Sequence, residues 1–283
     1  MSTSTLQAMP PSVISGLTAG TLAPYLGPGL LSLCSGSVPP ADPLALAAVL
    51  TAKVSVPGKI RNRLTAAAQF IENFKHRKTL VKAMNEAYAT VPEPSAFHHW
   101  LAALPAPLIV DVWYDDVMRQ TLAERRQPAD WAEVQGLSQS EHFGTWLGWY
   151  TADGSPLPDP GAPATLLYKP WGGHAPAGNY LISDSDFVEV LTEIDIQTPI
   201  PALVQQRRSA LGFVFFGCRF NDQLPRAFAR QILKRSGGPH FAVMPEEPTR
   251  MEQRFFEEVG ITRIAAPLAE VASQLVGSSA VSA

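Results

Sequence analysis

The sequence has little cysteine and no clustered metal ligands. Cys34 and Cys218 are the only cysteines among 283 residues, and they lie far apart, without a CxxC spacing or a neighbouring His. Such isolated cysteines disfavour a zinc site and a disulfide framework, and they are typical of a reducing compartment. The pairs His98–His99 and Glu141–His142 lack the further ligands that a metal needs, so no metal is predicted.

Strong charge and long apolar runs are also lacking. The formal net charge is −3 and the pI is about 6.1, which offers no overall attraction for nucleic acid or an anionic membrane. No apolar run approaches the about 20 residues of a membrane span, and Pro10 and Pro11 interrupt an N-terminus without basic residues, unlike a signal peptide. We therefore expect a cytoplasmic protein with neither nucleic-acid nor membrane partners. The basic stripe of Arg226, Arg230 and Lys234 is interpreted as a solvated helix face.

What the sequence does contain is apolar material in a strand–helix alternation. Hydrophobic residues make up 46% of the chain, enough for a full core. Short apolar runs at 165–169, 211–217, 241–245 and 262–266 are predicted strands, and each is followed by a helical pattern. Earlier strands are predicted at 22–26 and 108–114. This alternation predicts an α/β domain over residues 1–283, a parallel sheet with helices on both faces.

Two segments depart from that alternation. Residues 42–104 are helical in composition, with Asp42 as a cap and Pro43 at the first helical position, and we interpret them as a helical insertion. Residues 131–164 combine β-like stretches with a proline-rich loop. They are interpreted as a β-rich, hairpin-like insertion.

Chemically distinctive residues follow four of the predicted strands. Ligands of open parallel sheets bind at the carboxyl ends of the strands, so these residues are the candidate site. The glycines allow close approach of a pyrophosphate to the backbone, and the Asn and Asp side chains can hydrogen-bond a ribose. The bland alternatives are a tight turn, helix caps and a solvated loop histidine. In chain order the residues are Gly27 and Gly29, then Trp113, Tyr114 and Asp115, then Trp171 and His174, then Gly217, Asn221 and Asp222.

The four strand ends, in this order, resemble the SIR2-like family, the sirtuin-related Rossmann proteins that include bacterial defence NADases. Gly27–Pro28–Gly29 matches the glycines of a GAG stretch, and LIVDVWYDD at 108–116 is similar to LIVTTNYDD. Lys169, Trp171–Gly172 and Asp186–Phe187 correspond to a K-x-HG turn and a later D-[YF] pair. FFGCRFND at 215–222 is similar to an FxGxSxxD-like stretch. The resemblance implies a Rossmann-like sheet and NAD or an ADP-ribose-like nucleotide as the ligand.

The departures from the family pattern affect catalysis. Trp113 stands where the family has a catalytic Asn, and Trp171 stands where it has a catalytic His. The resemblance implies that this His is the general base on the nicotinamide ribose and that the Asn orients the ribose or a water. An indole has one N–H donor and no basic nitrogen, so neither Trp can take these roles, and loss of a general base costs about 10²- to 10⁴-fold in rate.

Three functions therefore stay open. The chain is expected to be a degenerate, regulatory SIR2-like protein that binds NAD, ADP-ribose or a protein partner without efficient catalysis. The first alternative is an active NAD hydrolase or deacylase with His174 as the catalytic base. The second is an adaptor whose pocket Trp113 and Trp171 have closed. The stretch 183–201 resembles a SIR2-like branch found near nitrogen-fixation genes, and self-association stays open.

Overall fold

The computed structural model describes residues 9–193 and 200–280, and its centre is a mostly parallel sheet. Eight strands of the described residues follow the order β10-β9-β8-β1-β2-β5-β3-β4, and only β4 runs antiparallel to its neighbour. β6 and β7 form a separate small hairpin. The strands are β1 (Leu22–Leu26), β2 (Leu108–Asp111), β3 (Trp131–Gly136), β4 (Leu147–Tyr150), β5 (Thr165–Lys169), β6 (Gly172–Gly173), β7 (Asn179–Tyr180), β8 (Gly212–Phe216), β9 (His240–Val243) and β10 (Ile261–Ile264).

Helices connect the strands, and several begin at the predicted caps. The Asp42 side chain accepts a hydrogen bond from the Ala45 amide at 2.8 Å. At the start of the helix Asp184–Glu193, Ser183 and Asp186 form reciprocal hydrogen bonds between side chain and amide. None of the described helices is long and apolar enough to cross a bilayer. The helices are α1 (Pro11–Thr18), α2 (Pro43–Lys53), α3 (Leu64–Lys75), α4 (Arg77–Tyr88), α5 (Ala96–Ala103), α6 (Val117–Arg125), α7 (Asp184–Glu193), α8 (Ala202–Arg208), α9 (Gln223–Leu233), α10 (Arg250–Val259) and α11 (Leu268–Ala280).

Both faces of the sheet are covered by apolar side chains. Neighbouring residues of one strand enter different clusters: Phe215 belongs to one core and Phe216 to the other. Val110 and Ile109 divide in the same way. A parallel sheet buried on both faces needs strands that are apolar throughout, which explains the continuous apolar runs and confirms the predicted Rossmann-like α/β class.

The two segments interpreted as insertions differ in their relation to the sheet. The segment 42–104 contributes α2 to α5 between β1 and β2. The segment 131–164 contributes β3, which pairs in parallel with β5, and β4, which pairs with β3 as a hairpin at the edge. These strands are thus hydrogen-bonded into the central sheet. The division of the chain into one domain with two insertions stays a prediction.

The expectation of a solvated basic stripe on α9 is wrong for its first member. Arg226 is only 7% exposed, and its guanidinium donates to the carbonyl of Phe220. Arg230 forms an ion pair with Glu258 at 2.7 Å. Arg226 therefore connects α9 to the preceding loop, and Arg230 connects it to α10.

Candidate functional site

The four loops singled out in the sequence lie at one edge of the sheet. Strands β8, β1, β2 and β5 are consecutive neighbours and run parallel, so their carboxyl ends share that edge. This is where open α/β sheets bind ligands. The residues at this edge form four groups with different surroundings: a glycine group, an aromatic group, a buried ionic group, and an outer group of His174, Asn221 and Asp222.

The glycine group joins the loops after β1 and β8. The amide of Gly27 donates to the Phe216 carbonyl and that of Gly29 donates to the Gly217 carbonyl, both at 2.9 Å. A Cβ on Gly29 would lie 2.8 Å from the Gly217 oxygen, and Gly217, at a φ of +65°, has its Cβ position 2.4 Å from the Leu30 nitrogen. The close contact of the two loops therefore accounts for these glycines, and it uses the amides that a phosphate would need.

The aromatic group fills the centre of the edge. Trp113 is 1% exposed and Trp171 is 6% exposed. The Trp113 indole donates to the Pro40 carbonyl at 2.8 Å, and the Tyr114 hydroxyl donates to the Leu181 carbonyl at 2.8 Å. The two positions that the resemblance aligns with the family's catalytic Asn and His thus hold buried, packed indoles.

Two phenylalanines on neighbouring helices, Phe187 of α7 and Phe228 of α9, pack against Trp171. Its ring lies 5.5 Å from the ring of Phe187 and 5.9 Å from that of Phe228, both edge to face. Edge-to-face contact is a favourable aromatic geometry. The Trp171 indole N–H is buried and has no hydrogen-bond partner among the described residues. Packing rather than hydrogen bonding therefore keeps this ring in the core.

A buried ionic group lies beneath the loops after β2 and β5. The Lys169 ammonium donates to Asp111 Oδ2 at 2.7 Å and to the Asp115 carbonyl at 2.8 Å. Burial opposes its charge, but the Asp111 and Asp115 carboxylates outweigh burial and raise the pKa of Lys169. Burial, assisted by Asp111, raises the pKa of Asp115 to about 7. Sequence reasoning missed Asp111 as a site residue, although a carboxylate inside an apolar strand signals a buried partner.

His174 belongs to a different part of the edge from Trp171. Its Nδ1 lies 2.9 Å from Asp116 Oδ2, at the start of α6, and its side chain is 28% exposed. The hydrogen bond with Asp116 raises the pKa of His174, which favours the protonated imidazolium, a form that cannot accept a further proton. The base role of His174 stays a prediction, and its ring contacts neighbours other than those of Trp171.

Glu133 and Gln135 extend the polar network to β3, and sequence reasoning missed both. Glu133 is fully buried; Arg119 donates to it at 2.8 Å and Gln135 donates to it at 2.6 Å. Burial raises the pKa of Glu133 to about 7, although Arg119 acts in the opposite direction. The Gln135 Oε1 atom is buried without a partner among the described residues. Alternating polar residues in the run Ala132–Gly136 were the only sequence signal.

Asn221 and Asp222 stand apart from the buried groups. Both are exposed, and the Asp222 side chain accepts the amide of Leu224 at 3.1 Å, as a cap of α9. Capping accounts for Asp222, and a ribose contact stays a prediction for both residues.

The space left at this edge is small. The cavity among Gly27, His98, Asp111 and Asp115 has a volume of about 10 Å³, as does the cavity beside Tyr168 and Phe228. About 10 Å³ is room for one water, whereas ligand pockets measure roughly 300 to 1,000 Å³. Neither of these two cavities, as the described residues line them, therefore has room for NAD.

Comparison with known proteins identifies the family of the chain. A search of curated proteins returns no match to the chain. A family model described as a SIR2-like domain matches residues 107–264, which is more than half of the sequence. The match begins before β2 and ends with β10, so it covers three of the four strand ends discussed above, and the loop after β1 lies outside it. By this match the chain belongs to the SIR2-like family.

Proposed function

We propose that this chain is a non-catalytic, regulatory SIR2-like protein that acts in the cytoplasm through a protein partner, with its nucleotide cleft closed by its own side chains. The supporting observation is the burial of Trp113 and Trp171 at the positions of the family's Asn and His. Three functions stayed open from the sequence. Buried side chains at the carboxyl ends of the strands favour the adaptor among them. A link to nitrogen fixation belongs to this proposal only through the resemblance of 183–201, of which 194–199 lies outside the described residues.

The chemistry of the two indoles supports the lack of turnover. A general base must accept a proton near neutral pH, and an indole N–H only donates. The Trp113 N–H already donates to Pro40. The nearest chemical substitute, His174, is tied to Asp116. Purified protein is therefore expected to release no nicotinamide from NAD above a buffer control.

Nucleotide binding is tested by thermal unfolding. A ligand at 100 times its dissociation constant stabilises the native state by about 2.7 kcal/mol, which corresponds to roughly 5 to 10 °C for a chain of this size. The closed cleft predicts no such shift with millimolar NAD or ADP-ribose. A shift of several degrees in the wild type would reject the closed cleft and favour a nucleotide-binding protein.

Two variants make this test more specific. Trp171→Ala removes one of the two indoles proposed to close the cleft. A nucleotide-dependent rise in melting temperature that appears only in this variant would identify the Trp171 indole as the group that blocks nucleotide binding. Trp149→Ala, in the half-buried strand β4, is the control: it removes an indole that does not follow the carboxyl end of β2 or β5. This variant should gain no nucleotide-dependent shift in melting temperature. The Trp171→Ala protein is expected to be less stable by about 3 to 5 kcal/mol, which unfolding in urea measures independently of ligand.

The second candidate function is an NAD-consuming enzyme that uses His174. It is favoured by one observation: the imidazole is partly exposed and is oriented by a carboxylate, as general bases often are. Nicotinamide release that is abolished by His174→Ala, and retained by His142→Ala on the exposed β3–β4 loop, would establish this candidate and reject the non-catalytic proposal.

A further inference from the structure

Positive charge is concentrated in one part of the chain. Residues 53–82 contain eight Lys or Arg and one Glu, although the whole chain has a net charge of −3. This segment consists of the end of α2, the connection 54–63, all of α3 and the first half of α4. The chain therefore carries local positive charge between β1 and β2 despite its negative net charge.

A concave surface among the described residues begins on this segment. A groove of about 460 Å³ follows the outer side of α4. Its helical lining recurs at intervals of three and four residues, the spacing of one helix face, and it extends over about 17 Å at 1.5 Å per residue. The lining residues, which we call the α4 groove, are Lys78, Val81, Lys82, Asn85, Glu86 and Ala89, with Glu141 at the rim.

The charges of the α4 groove leave two lysines for a partner. Glu86 forms an ion pair with Lys53, and Glu141 forms one with Arg77 at 3.2 Å. Lys78 and Lys82 are exposed, and neither forms a salt bridge within 4.0 Å in the part of the chain that the structure describes, although Lys53, assisted by Lys82, lowers the pKa of Glu86. Lys78 and Lys82 stand one helical turn apart on the same face. Partly buried Val81 lies between them in sequence and provides apolar surface.

We propose that the α4 groove binds an acidic amphipathic helix of a partner protein. Carboxylates at i and i+4 of such a helix match the spacing of Lys78 and Lys82, and an apolar residue one turn away can contact Val81, as in helix-in-groove recognition. The proposal goes beyond the closed cleft, since none of the groove residues belongs to the four groups at the sheet edge.

An acidic helix fits this surface better than nucleic acid does. Residues 127–206 contain ten acidic residues and one lysine, and that lysine, Lys169, is buried in the ionic group. Glu141 of this acidic segment stands at the rim of the α4 groove. An extended polyanion would meet this negative field beyond the groove, whereas a short helix can stay within the groove.

The test is fluorescence anisotropy with a labelled helical peptide of about 16 residues, long enough to span the groove, with Glu at i, i+4 spacing and Leu one turn away. The full chain is expected to bind this peptide at low salt and more weakly as salt screens the contact. Lys78→Glu with Lys82→Glu should weaken binding at least about tenfold, because two attractive contacts become repulsive. The milder pair Lys78→Gln with Lys82→Gln should weaken it less.

A matched pair of substitutions controls for net charge. Arg250→Glu with Arg254→Glu changes the same number of charges at the same spacing on exposed positions of α10, and it should leave peptide binding nearly unchanged. Equal losses in both pairs would mean that the field of the whole protein acts, and they would overturn the groove assignment. The proposal is also overturned if the wild type does not bind the peptide, or if single-stranded DNA binds more tightly and is lost in the Lys78, Lys82 variant.

Discussion

The buried carboxyl group of Glu133 is expected to make the stability of the fold depend on pH. Glu133 lies on β3, fully buried, with Arg119 at 2.8 Å and Gln135 at 2.6 Å. Burial raises its pKa to about 7 in the folded chain despite the attraction of Arg119, with smaller influences from Lys169 and Asp116. In the unfolded chain the carboxyl group titrates near the ordinary value of about 4.3.

The sign of the effect follows from where the proton binds. Between about pH 4.3 and pH 7 the folded state holds the proton on Glu133 and the unfolded state does not, so the free energy of unfolding falls as pH rises. One group contributes at most about 1.4 kcal/mol per pH unit, and across this window of about 2.7 units the loss approaches about 4 kcal/mol. The stabilisation is complete at pH 4 and is lost above pH 7.

Urea unfolding at pH 5, 6, 7 and 8, followed by tryptophan fluorescence, measures this dependence. Glu133→Gln removes the titration, so its stability should fall less steeply than that of the wild type, by about 1 kcal/mol per pH unit between pH 5 and pH 7. Glu257→Gln, at an exposed position of α10, should keep the wild-type slope. Parallel wild-type and Glu133→Gln profiles would refute the buried, proton-holding state of Glu133.

Three further predictions concern groups that hold the site edge together. Asp186 accepts hydrogen bonds from Arg77, Ser138 and the cap of α7, so Asp186→Asn should cost about 3 kcal/mol in urea unfolding, whereas Asp184→Asn should cost only a few tenths; equal costs would contradict the network. Gly217→Ala places a Cβ against the Leu30 nitrogen at a φ of +65° and should lower the melting temperature by several degrees, whereas Gly277→Ala, with open space around it, should not lower it. Lys169→Met leaves Asp111 unpaired and should cost about 3 to 5 kcal/mol, most of which the double variant with Asp111→Val should restore; no restoration would contradict the pairing of the two side chains.

The backbone plan was predictable from the sequence because local rules decide it. Continuous apolar runs followed by amphipathic segments specify strands buried on both faces and their crossover helices. The caps at Asp42 and at Ser183–Asp186 were predictable for the same reason, since a cap depends on residues three positions apart. These local signals also predict that the strand ends share one side of the sheet, because parallel strands with helical crossovers present their carboxyl ends on the same side.

The side-chain content of the edge was not predictable in the same way. The sequence places Trp171 in a loop, but its burial depends on Phe187 and Phe228, 16 and 57 positions further along the chain. The pairing of Asp111 with Lys169 likewise spans 58 positions. For α9, the sequence predicts a stop at Gly237, because glycine commonly follows the last turn of a helix. The helix instead ends at Leu233, and Arg235 adopts a left-handed φ of +64°, which is uncommon for a residue with a side chain.

The two tryptophans change what the sheet edge contributes to the molecule. A polar cleft normally reduces stability, because its groups are arranged for a ligand rather than for each other. Here the indoles of Trp113 and Trp171 are buried, and burial of such large apolar surfaces stabilises a fold by roughly 2 to 3 kcal/mol each. The neighbouring carboxylates pair with Lys169 and Arg119 of the same chain. Because these side chains pack and pair within the chain, we expect recognition of other molecules to use an exposed surface, and the α4 groove carries two exposed lysines, Lys78 and Lys82. We therefore expect a measurement of peptide binding at Lys78 and Lys82 to reveal more about the function of the chain than an assay of NAD turnover.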